Sequence, residues 1–196
     1  NLQIVIAQVL SYNFNMVSLK NVSKIYPNGT TALQSVNMEV KSSELVFLAG
    51  PAGSGKSTIF KLMIKEESAS SGQVFVNSED VVNMKKWRVP HFRRGIGVIF
   101  QNCSVFEQRT VFENTAFALH VNGIYGKKCA AAVEETLSRL GLKDKPRMLP
   151  SALSAGELQK LMIAKAIVNK PAVILADEPF THLDDRDKEL VTDIFN

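Results

Sequence analysis

Residues 50–58, GPAGSGKST, have the residue types and spacing that hold the phosphates of a nucleotide. The pattern is G-x-x-x-x-G-K-[ST], in which glycines let backbone N–H groups turn inward around phosphate oxygens. Lys56 is placed to reach the terminal phosphates, and the Ser57 hydroxyl is placed to bind Mg²⁺. The alternative is a plain glycine-rich turn between a strand and a helix. All loop residues are candidate nucleotide ligands: Gly50, Pro51, Ala52, Gly53, Ser54, Gly55, Lys56, Ser57 and Thr58.

Two carboxylates follow the apolar run in residues 172–179, AVILADEP. Asp177 can hold Mg²⁺ directly or through water, and Glu178 can polarise a water that attacks a terminal phosphate. Alone, such a pair is an ordinary strand end. Beside a phosphate loop the two signals support each other, so Asp177 is a predicted metal ligand and Glu178 a predicted catalytic residue.

Two further side chains are weaker candidates. Gln101 ends the run VIFQ, where an amide can contact both Mg²⁺ and the attacking water; an exposed Gln at a strand end is the alternative. Tyr26 precedes a turn and can stack on an adenine ring, although an isolated Tyr is more often a half-buried packing residue.

The stretch LSAGELQKL, residues 153–161, has two interpretations. Ser154 and Glu157 form the S-x-x-E capping box of a helix start. The same helix end is also an anion site, because unpaired backbone N–H groups and the helix dipole point outward there. The residues alone do not decide between them.

The elements that must position these residues follow from the apolar pattern. Alternation at 17–22 and 36–40 predicts half-exposed strands, and LVFLAG at 45–50 predicts a buried parallel strand. Residues 57–64 read as a helix, and helices dominate from about 104 to 169, with a capping box at Thr110 and Glu113. Short strands are predicted at GQVFV, at 98–100 and at 172–176, which gives an α/β core interrupted by a helical insert.

Bulk properties set limits on the class of protein. The 196 residues carry a net charge of +4, which fits work near phosphates or an anionic surface without requiring either. Cys103 and Cys129 lack C-x-x-C spacing, which argues against zinc or disulfides and for a reducing compartment.

No apolar run reaches the roughly 18 residues of a membrane span. Residues 1–15 lack the features of a secretion signal and are expected to be an upstream fragment, or an appended segment that packs as an extra strand. The end at Asn196 falls within a helix-like pattern.

The order of KIYPNG, GPAGSGKST, VIFQ, LSAGE, ILADEP and HLDD resembles the ATP-binding subunits of ABC transporters, from Met16 onward. The resemblance implies a P-loop NTPase core of ABC ATPase type with an N-terminal antiparallel β subdomain. The domain would span 16–196, truncated at its C-terminus, with a helical insert at about 104–169. ATP and Mg²⁺ would be its cofactors, held by the phosphate loop (residues 50–58), Tyr26, Asp177 and Gln101, with Glu178 and Gln101 catalytic.

The resemblance also implies a homodimer in which two head-to-tail subunits sandwich two ATP molecules. The Ser154 hydroxyl and the Gly156 N–H would bind the γ-phosphate held by the partner's phosphate loop, and Asp184 would join the nucleotide site. The two interpretations of LSAGE then become compatible, because the helix end can be capped locally and still donate across the dimer. Binding would close the sandwich and hydrolysis would open it.

Several positions depart from the family pattern. Ala155 replaces a usual Gly, and Lys160 a usual Arg. A methyl at 155 is tolerable if the backbone there is helical and costly if it needs a positive φ. The switch histidine of relatives lies beyond residue 196, and His182 is too near Asp177 to replace it. We therefore expect this chain to bind nucleotide and to hydrolyse it weakly.

Within the family, VPHFRRGIGVIFQ, RTVFENTAFAL and AIVNKPAVILADEP look most like the cell-division branch. That likeness implies an integral membrane partner of FtsX type, control of cell-wall hydrolysis, and a peripheral location at the cytoplasmic face of a bacterial inner membrane. The partner's short helix would enter a groove near Gln101 to Phe117. Lipoprotein-releasing or macrolide exporter ATPases, a soluble ABC ATPase acting on nucleic acid, and a module without turnover are the alternatives. The basic run 85–94 permits nucleic acid, but a solvated face is favoured, so no nucleic acid is expected.

Overall fold

The computed structural model describes residues 4–7, 15–100 and 105–195, with the backbone alone for 4–7 and 15. The predictions for Gln101 and Cys103 lie outside the described residues. The strands are β1 Ile4–Ala7, β2 Asn15–Ile25, β3 Thr31–Lys41, β4 Val46–Leu48, β5 Ser71–Val76, β6 Glu79–Asp80, β7 Ile96–Ile99 and β8 Val173–Asp177. The α-helices are α1 Lys56–Met63, α2 Val89–Arg94, α3 Val111–Val121, α4 Gly126–Arg139, α5 Ala155–Ile167 and α6 Asp185–Phe195, and two 3-10 turns span Lys86–Arg88 and Pro150–Ala152.

The first sheet is antiparallel, in the order β3-β2-β5-β6. Alternating apolar residues of β2 and β5, such as Val17 opposite Val76 and Leu19 opposite Val74, are fully or almost fully buried. They pack with the buried face of α1, including Phe60 and Met63, into one hydrophobic core. This sheet is the predicted N-terminal β subdomain, and the core it shares with α1 supports the helix that follows the phosphate loop.

The second sheet has the order β4-β1-β8-β7. Strands β7 and β8 are parallel, with Ile96 opposite Val173, while β1 runs antiparallel to both β4 and β8. Residues 45–50 therefore contain the predicted strand, but the expectation of a buried parallel strand is wrong for the described residues. The bonded neighbour of β4 is antiparallel β1, and its Phe47 is 46% exposed because β4 lies at the sheet edge.

The predicted helical stretch contains α3, α4 and α5, which pack on one another, and α5 also packs on β7. The apolar face of α4 is buried, because Val133, Leu137 and the C-terminal cap residue Leu140 are at most 1% exposed. The capping box at Thr110 is also confirmed, since its hydroxyl accepts from Glu113 N while the Glu113 carboxylate accepts from Thr110 N. A second core forms here with β7, β8 and α6. Across the described ranges, none of the helices combines the length and apolarity that a bilayer span needs.

Candidate functional site

The phosphate loop requires glycine where it turns into α1. Gly55 is the N-cap of α1 with φ of 88°, a left-handed conformation that side chains disfavour. A Cβ at Gly55 would lie 2.6 Å from the Ala32 carbonyl oxygen and 2.7 Å from Leu33 Cδ2. Gly53 also has a positive φ, of 80°. The strand β3 thus packs directly against the loop, and only glycine fits at the contact.

Lys56 lies across this loop. Its Nζ donates to the carbonyl oxygens of Gly50 and Pro51, both at 2.7 Å, and to Ser54 Oγ at 3.0 Å. The residue is 7% exposed, whereas Ser57 beside it is exposed. The Lys56 ammonium is thus surrounded by oxygens of the loop. When a nucleotide binds, its phosphate oxygens would take the place of these loop oxygens. This geometry fits the predicted roles of Lys56 and Ser57.

Tyr26 lies next to the same loop. Its hydroxyl is 3.3 Å from Oγ1 of Thr58, and the Lys24 ammonium lies 4.9 Å from the centre of its ring. Lys24 is itself held by Glu67 at 2.7 Å. The structure therefore brings the predicted adenine-stacking residue to the phosphate loop, while the adenine contact itself stays a prediction.

Asp177 ends β8 with a buried carboxylate oxygen. In the part of the chain that the structure describes, its Oδ1 has no hydrogen-bond partner. Burial raises the pKa of the Asp177 carboxyl, and the Glu178 charge raises it further, while Lys56 opposes both. A buried carboxylate oxygen without a hydrogen-bond partner among the described residues can serve as a ligand of a cation. Mg²⁺ prefers oxygen ligands such as carboxylates and hydroxyls. Asp177 and Ser57 are therefore the described residues that would hold Mg²⁺.

Removing the charge of Asp177 should make the protein more stable but reduce its stabilisation by Mg-ATP. A carboxyl group whose pKa is higher in the folded than in the unfolded protein destabilises the fold at any pH above its folded-state pKa. This destabilisation becomes smaller as the pH falls through the folded-state pKa. Asp177→Asn should therefore raise the free energy of unfolding of the Mg²⁺-free protein at neutral pH. It should also remove most of the rise in melting temperature that Mg-ATP gives. Thermal denaturation with and without Mg-ATP measures both.

The control for this pair of effects is Asp144→Asn, which neutralises an exposed carboxylate away from the loop. It should change neither the unfolding free energy nor the Mg-ATP response by more than a few tenths of a kcal/mol. A less stable Asp177→Asn protein, or one that keeps the full Mg-ATP response, would contradict the assignment.

Glu178 follows Asp177 in a left-handed backbone conformation, with φ of 52°. Its Oε2 accepts from Thr181 Oγ1 at 3.3 Å, and its carbonyl accepts from Thr181 N at 3.2 Å. A positive φ costs a non-glycine residue on the order of 1 kcal/mol or more, and such strain concentrates at functional sites. The sequence indicated Glu178 from its place after a strand but gave no signal for this conformation.

The helix start at Ser154 has the predicted capping box. Ser154 Oγ accepts from Glu157 N at 3.2 Å, and the Glu157 carboxylate accepts from Ser154 N at 3.0 Å. Lys145 lies 2.6 Å from Glu157, and its hydrogen bond is the main reason that the pKa of Glu157 is lowered. Because α5 begins at Ala155, that residue is helical, and its methyl group needs no positive φ. The replacement of a usual Gly is therefore sterically acceptable here.

Gly156 makes a close contact that the sequence did not indicate. A Cβ at this position would lie 2.9 Å from the His182 carbonyl oxygen. One turn further, Gln159 is buried and donates to the Pro179 carbonyl oxygen at 2.9 Å. The start of α5 thus packs directly on the segment after Glu178, which includes His182 with φ of 65°.

The segment after Glu178 is also held from its far end. Asp184 accepts from Asp187 N at 2.7 Å and so caps α6. Lys160 of α5 forms an ion pair with Asp187 at 2.9 Å, so Lys in place of the usual Arg still joins the two helices. The structure gives Asp184 a capping role, and its predicted nucleotide contact stays a prediction.

The predicted residues form two groups. Tyr26, the phosphate loop, Asp177 and Glu178 are linked by hydrogen bonds or charge, whereas Ser154 and Gly156 belong to the start of α5. Within the described ranges, no hydrogen bond or ion pair joins that helix start to the phosphate loop. Ser154 is exposed, so a second molecule can reach it.

Comparison with known proteins gives consistent results. A sequence model described as ABC transporter matches residues 33–181. The cell division ATP-binding protein FtsE of Bacillus subtilis (strain 168) is 43% identical over 169 residues, which cover 86% of this chain and 74% of the relative. FtsE of Escherichia coli (strain K12) is 41% identical over 180 residues, which cover 92% of this chain and 81% of the relative.

Solved structures with the same fold are similar over most of the chain. The dimeric structure of MJ0796, a bacterial ABC transporter cassette, has a TM-score of 0.80 at 28% identity. Its post-hydrolysis state bound to ADP and Pi also has a TM-score of 0.80, at 30% identity. Each comparison covers 91% of this chain and 81% of the other. The predicted fold class is thereby confirmed.

Proposed function

The chain belongs to the ABC transporter family as an ATP-binding subunit, and from this premise we propose that it binds and hydrolyses Mg-ATP to drive an integral membrane partner in cell division. The observation that carries the proposal is the joint placement of Lys56 in the phosphate loop and Asp177 at the end of β8, where the Lys56 charge favours the ionised form of the Asp177 carboxyl. A structural turn alone has no need of this pairing.

The chemistry follows from what these residues can hold. Lys56 exchanges its loop oxygens for phosphate oxygens, and Ser57 and Asp177 would hold Mg²⁺, which would supply positive charge to the terminal phosphates. Glu178 accepts a proton from the attacking water. Gln101 is proposed as a further ligand of Mg²⁺ and the water, and Tyr26 as the adenine contact.

The active unit is proposed to be a head-to-tail homodimer. Ser154 is exposed, and the start of α5 makes no bond to its own phosphate loop among the described residues. The free N–H groups of this helix end suit the γ-phosphate held by a second copy. The related cassette MJ0796 has a dimeric structure, which supports the same arrangement here.

A groove beside the helical region is the proposed docking site of the membrane partner. It is lined by Pro90 and Val98 on one side and by Phe117 and Val121 of α3 on the other. Phe117 and Phe106 contact edge to face at 4.7 Å, and both rings are more than a third exposed. The Arg109 guanidinium and the Lys165 ammonium both lie over the Phe106 ring. An apolar floor with a basic rim suits a short amphipathic helix.

The proposed partner is an FtsX-type membrane protein, since the relatives compared above carry the name of the cell division ATP-binding protein FtsE. The location would then be the cytoplasmic face of a bacterial inner membrane, and the output would be control of cell-wall hydrolysis.

A charge in the groove should release the partner. Phe117→Asp should reduce co-purification with an FtsX-type protein by at least about tenfold, because the loss of the apolar ring and the burial of a carboxylate in its place together cost more than about 1.4 kcal/mol. Tyr125→Asp is the matched control, because Tyr125 is 63% exposed outside the groove and precedes α4, where Asp is a good cap. Equal recovery of the partner with both variants would exclude the groove as the docking site. Melting curves verify that both variants fold.

A further inference from the structure

A basic surface lies beside the proposed docking groove. Residues 79–94 carry five basic side chains (Lys85, Lys86, Arg88, Arg93 and Arg94) against two acidic ones (Glu79 and Asp80), a local charge of +3 with His91 neutral. Eight of the ten residues of the run 85–94 are exposed. Trp87 stands out, because a large aromatic side chain is here 69% exposed.

Part of this charge is used within the protein. Arg88 pairs with Glu79 at 2.7 Å, and Arg93 donates to the carbonyl oxygens of Ile64 and Lys65 at 2.8 and 3.1 Å. These bonds fix the run against the end of α1. In the described residues, Lys85, Lys86 and Arg94 form no ion pair. We call these three residues and Trp87 the basic patch.

We propose that the basic patch binds the anionic surface of a lipid bilayer directly. Lysine and arginine near an anionic leaflet each gain attraction to lipid phosphates, and tryptophan prefers the boundary between headgroups and hydrocarbon. The basic patch combines both kinds of side chain, since it has an exposed indole and three cations that form no ion pair among the described residues.

The position of the patch supports the same ligand. Arg94 also lines the proposed docking groove, together with Pro90 and Arg93. If a membrane protein occupies that groove, the adjoining patch faces the same bilayer. The orientation of the patch rests on the proposed function, while its charge and its exposed indole do not.

A nucleic acid is the less suitable ligand. Single strands are held by several aromatic rings in a row along a basic groove. In this run Trp87 is the one large aromatic side chain that is exposed, because Phe92 packs against the core of the first sheet. A single exposed indole beside Lys85, Lys86 and Arg94 suits an anchor in the membrane interface better than a series of stacking platforms.

The chain supplies its own reporter, because Trp87 is its single tryptophan. Vesicles of phosphatidylglycerol mixed with phosphatidylcholine should shift its fluorescence to shorter wavelength and carry the protein into the pellet on sedimentation. Vesicles of pure phosphatidylcholine should do neither, and high salt should reverse the binding. The double variant Lys85→Glu and Lys86→Glu should weaken vesicle binding at least about thirtyfold.

The matched control is Lys127→Glu with Lys128→Glu, which makes the same change in net charge at two adjacent exposed lysines of α4. It should weaken binding only a few-fold. Equal losses in the two double variants, or no fluorescence shift with anionic vesicles, would overturn the proposal. So would a single-stranded oligonucleotide that quenches Trp87 at lower concentration than the vesicles shift it. The vesicles contain no membrane partner and no ATP, so failure here is independent of the docking and hydrolysis tests.

Discussion

Glu178→Gln is expected to slow ATP hydrolysis by roughly 10²–10⁴-fold while leaving Mg-ATP binding intact. The amide keeps the shape of the side chain and its bond from Thr181, which lies 3.3 Å away, but it cannot accept a proton from water. The ATP-bound state should therefore accumulate. Steady-state phosphate release gives the rate, and calorimetry with Mg-ATP gives the affinity.

The control is Glu189→Gln, which makes the same chemical change at an exposed position of α6. It should leave the rate within a factor of about two. A Glu178→Gln protein that hydrolyses ATP at the parent rate would exclude Glu178 as the proton acceptor. Loss of ATP binding in that variant would instead give Glu178 a role in holding nucleotide.

Gly156→Ala is expected to lower the hydrolysis rate about a hundredfold. Its Cβ would lie 2.9 Å from the His182 carbonyl oxygen, a backbone atom that cannot rotate away. The start of α5 or the segment after Glu178 must then shift, and a displacement of about 1 Å at a catalytic contact can cost 10²-fold in rate. Mg-ATP binding to the phosphate loop should persist, because the hydrogen bonds of the described residues do not join Gly156 to Lys56 or Ser57.

The reverse exchange at the neighbouring position is the matched control. Ala155→Gly removes a methyl group from an exposed helical residue and should cost at most about 1 kcal/mol of stability, with less than a tenfold change in rate. Melting curves show whether Gly156→Ala remains folded. If it is folded and hydrolyses ATP at the parent rate, the packing of α5 on His182 is not needed for activity. A rise of more than about a hundredfold for Ala155→Gly would mean that Ala155 restrains the enzyme.

Features that depend on a few neighbouring residues were predictable from the sequence. The capping boxes at Thr110 and Ser154 require only a Glu three residues later, and both are present. The phosphate loop is likewise specified by its own glycines, since Gly55 takes the φ of 88° that the turn requires. The order of these local motifs sufficed to predict the family, and the comparisons confirm that prediction.

Features that depend on distant residues were not predictable. The pairing of β1 joins residues 4–7 to residues about 40 positions away in β4 and about 170 positions away in β8, and no local pattern specifies it. The burial of the Asp177 Oδ1 oxygen, which lacks a hydrogen-bond partner among the described residues, depends on what surrounds the end of β8. The contact of Gly156 with His182 likewise arises only when α5 packs on the segment after Glu178. Each of these is a tertiary contact that charge, spacing and periodicity do not encode.

The most direct test of the proposed nucleotide sandwich is the molecular mass of the Glu178→Gln protein in solution, measured by sedimentation with and without Mg-ATP. A dimer that forms only with Mg-ATP is the predicted result. Adding Lys56→Ala to the same protein should return it to a monomer, because the lost phosphate contact is worth about 1.5–3 kcal/mol. A protein that binds Mg-ATP and stays monomeric, or one that is dimeric without nucleotide, would contradict the sandwich.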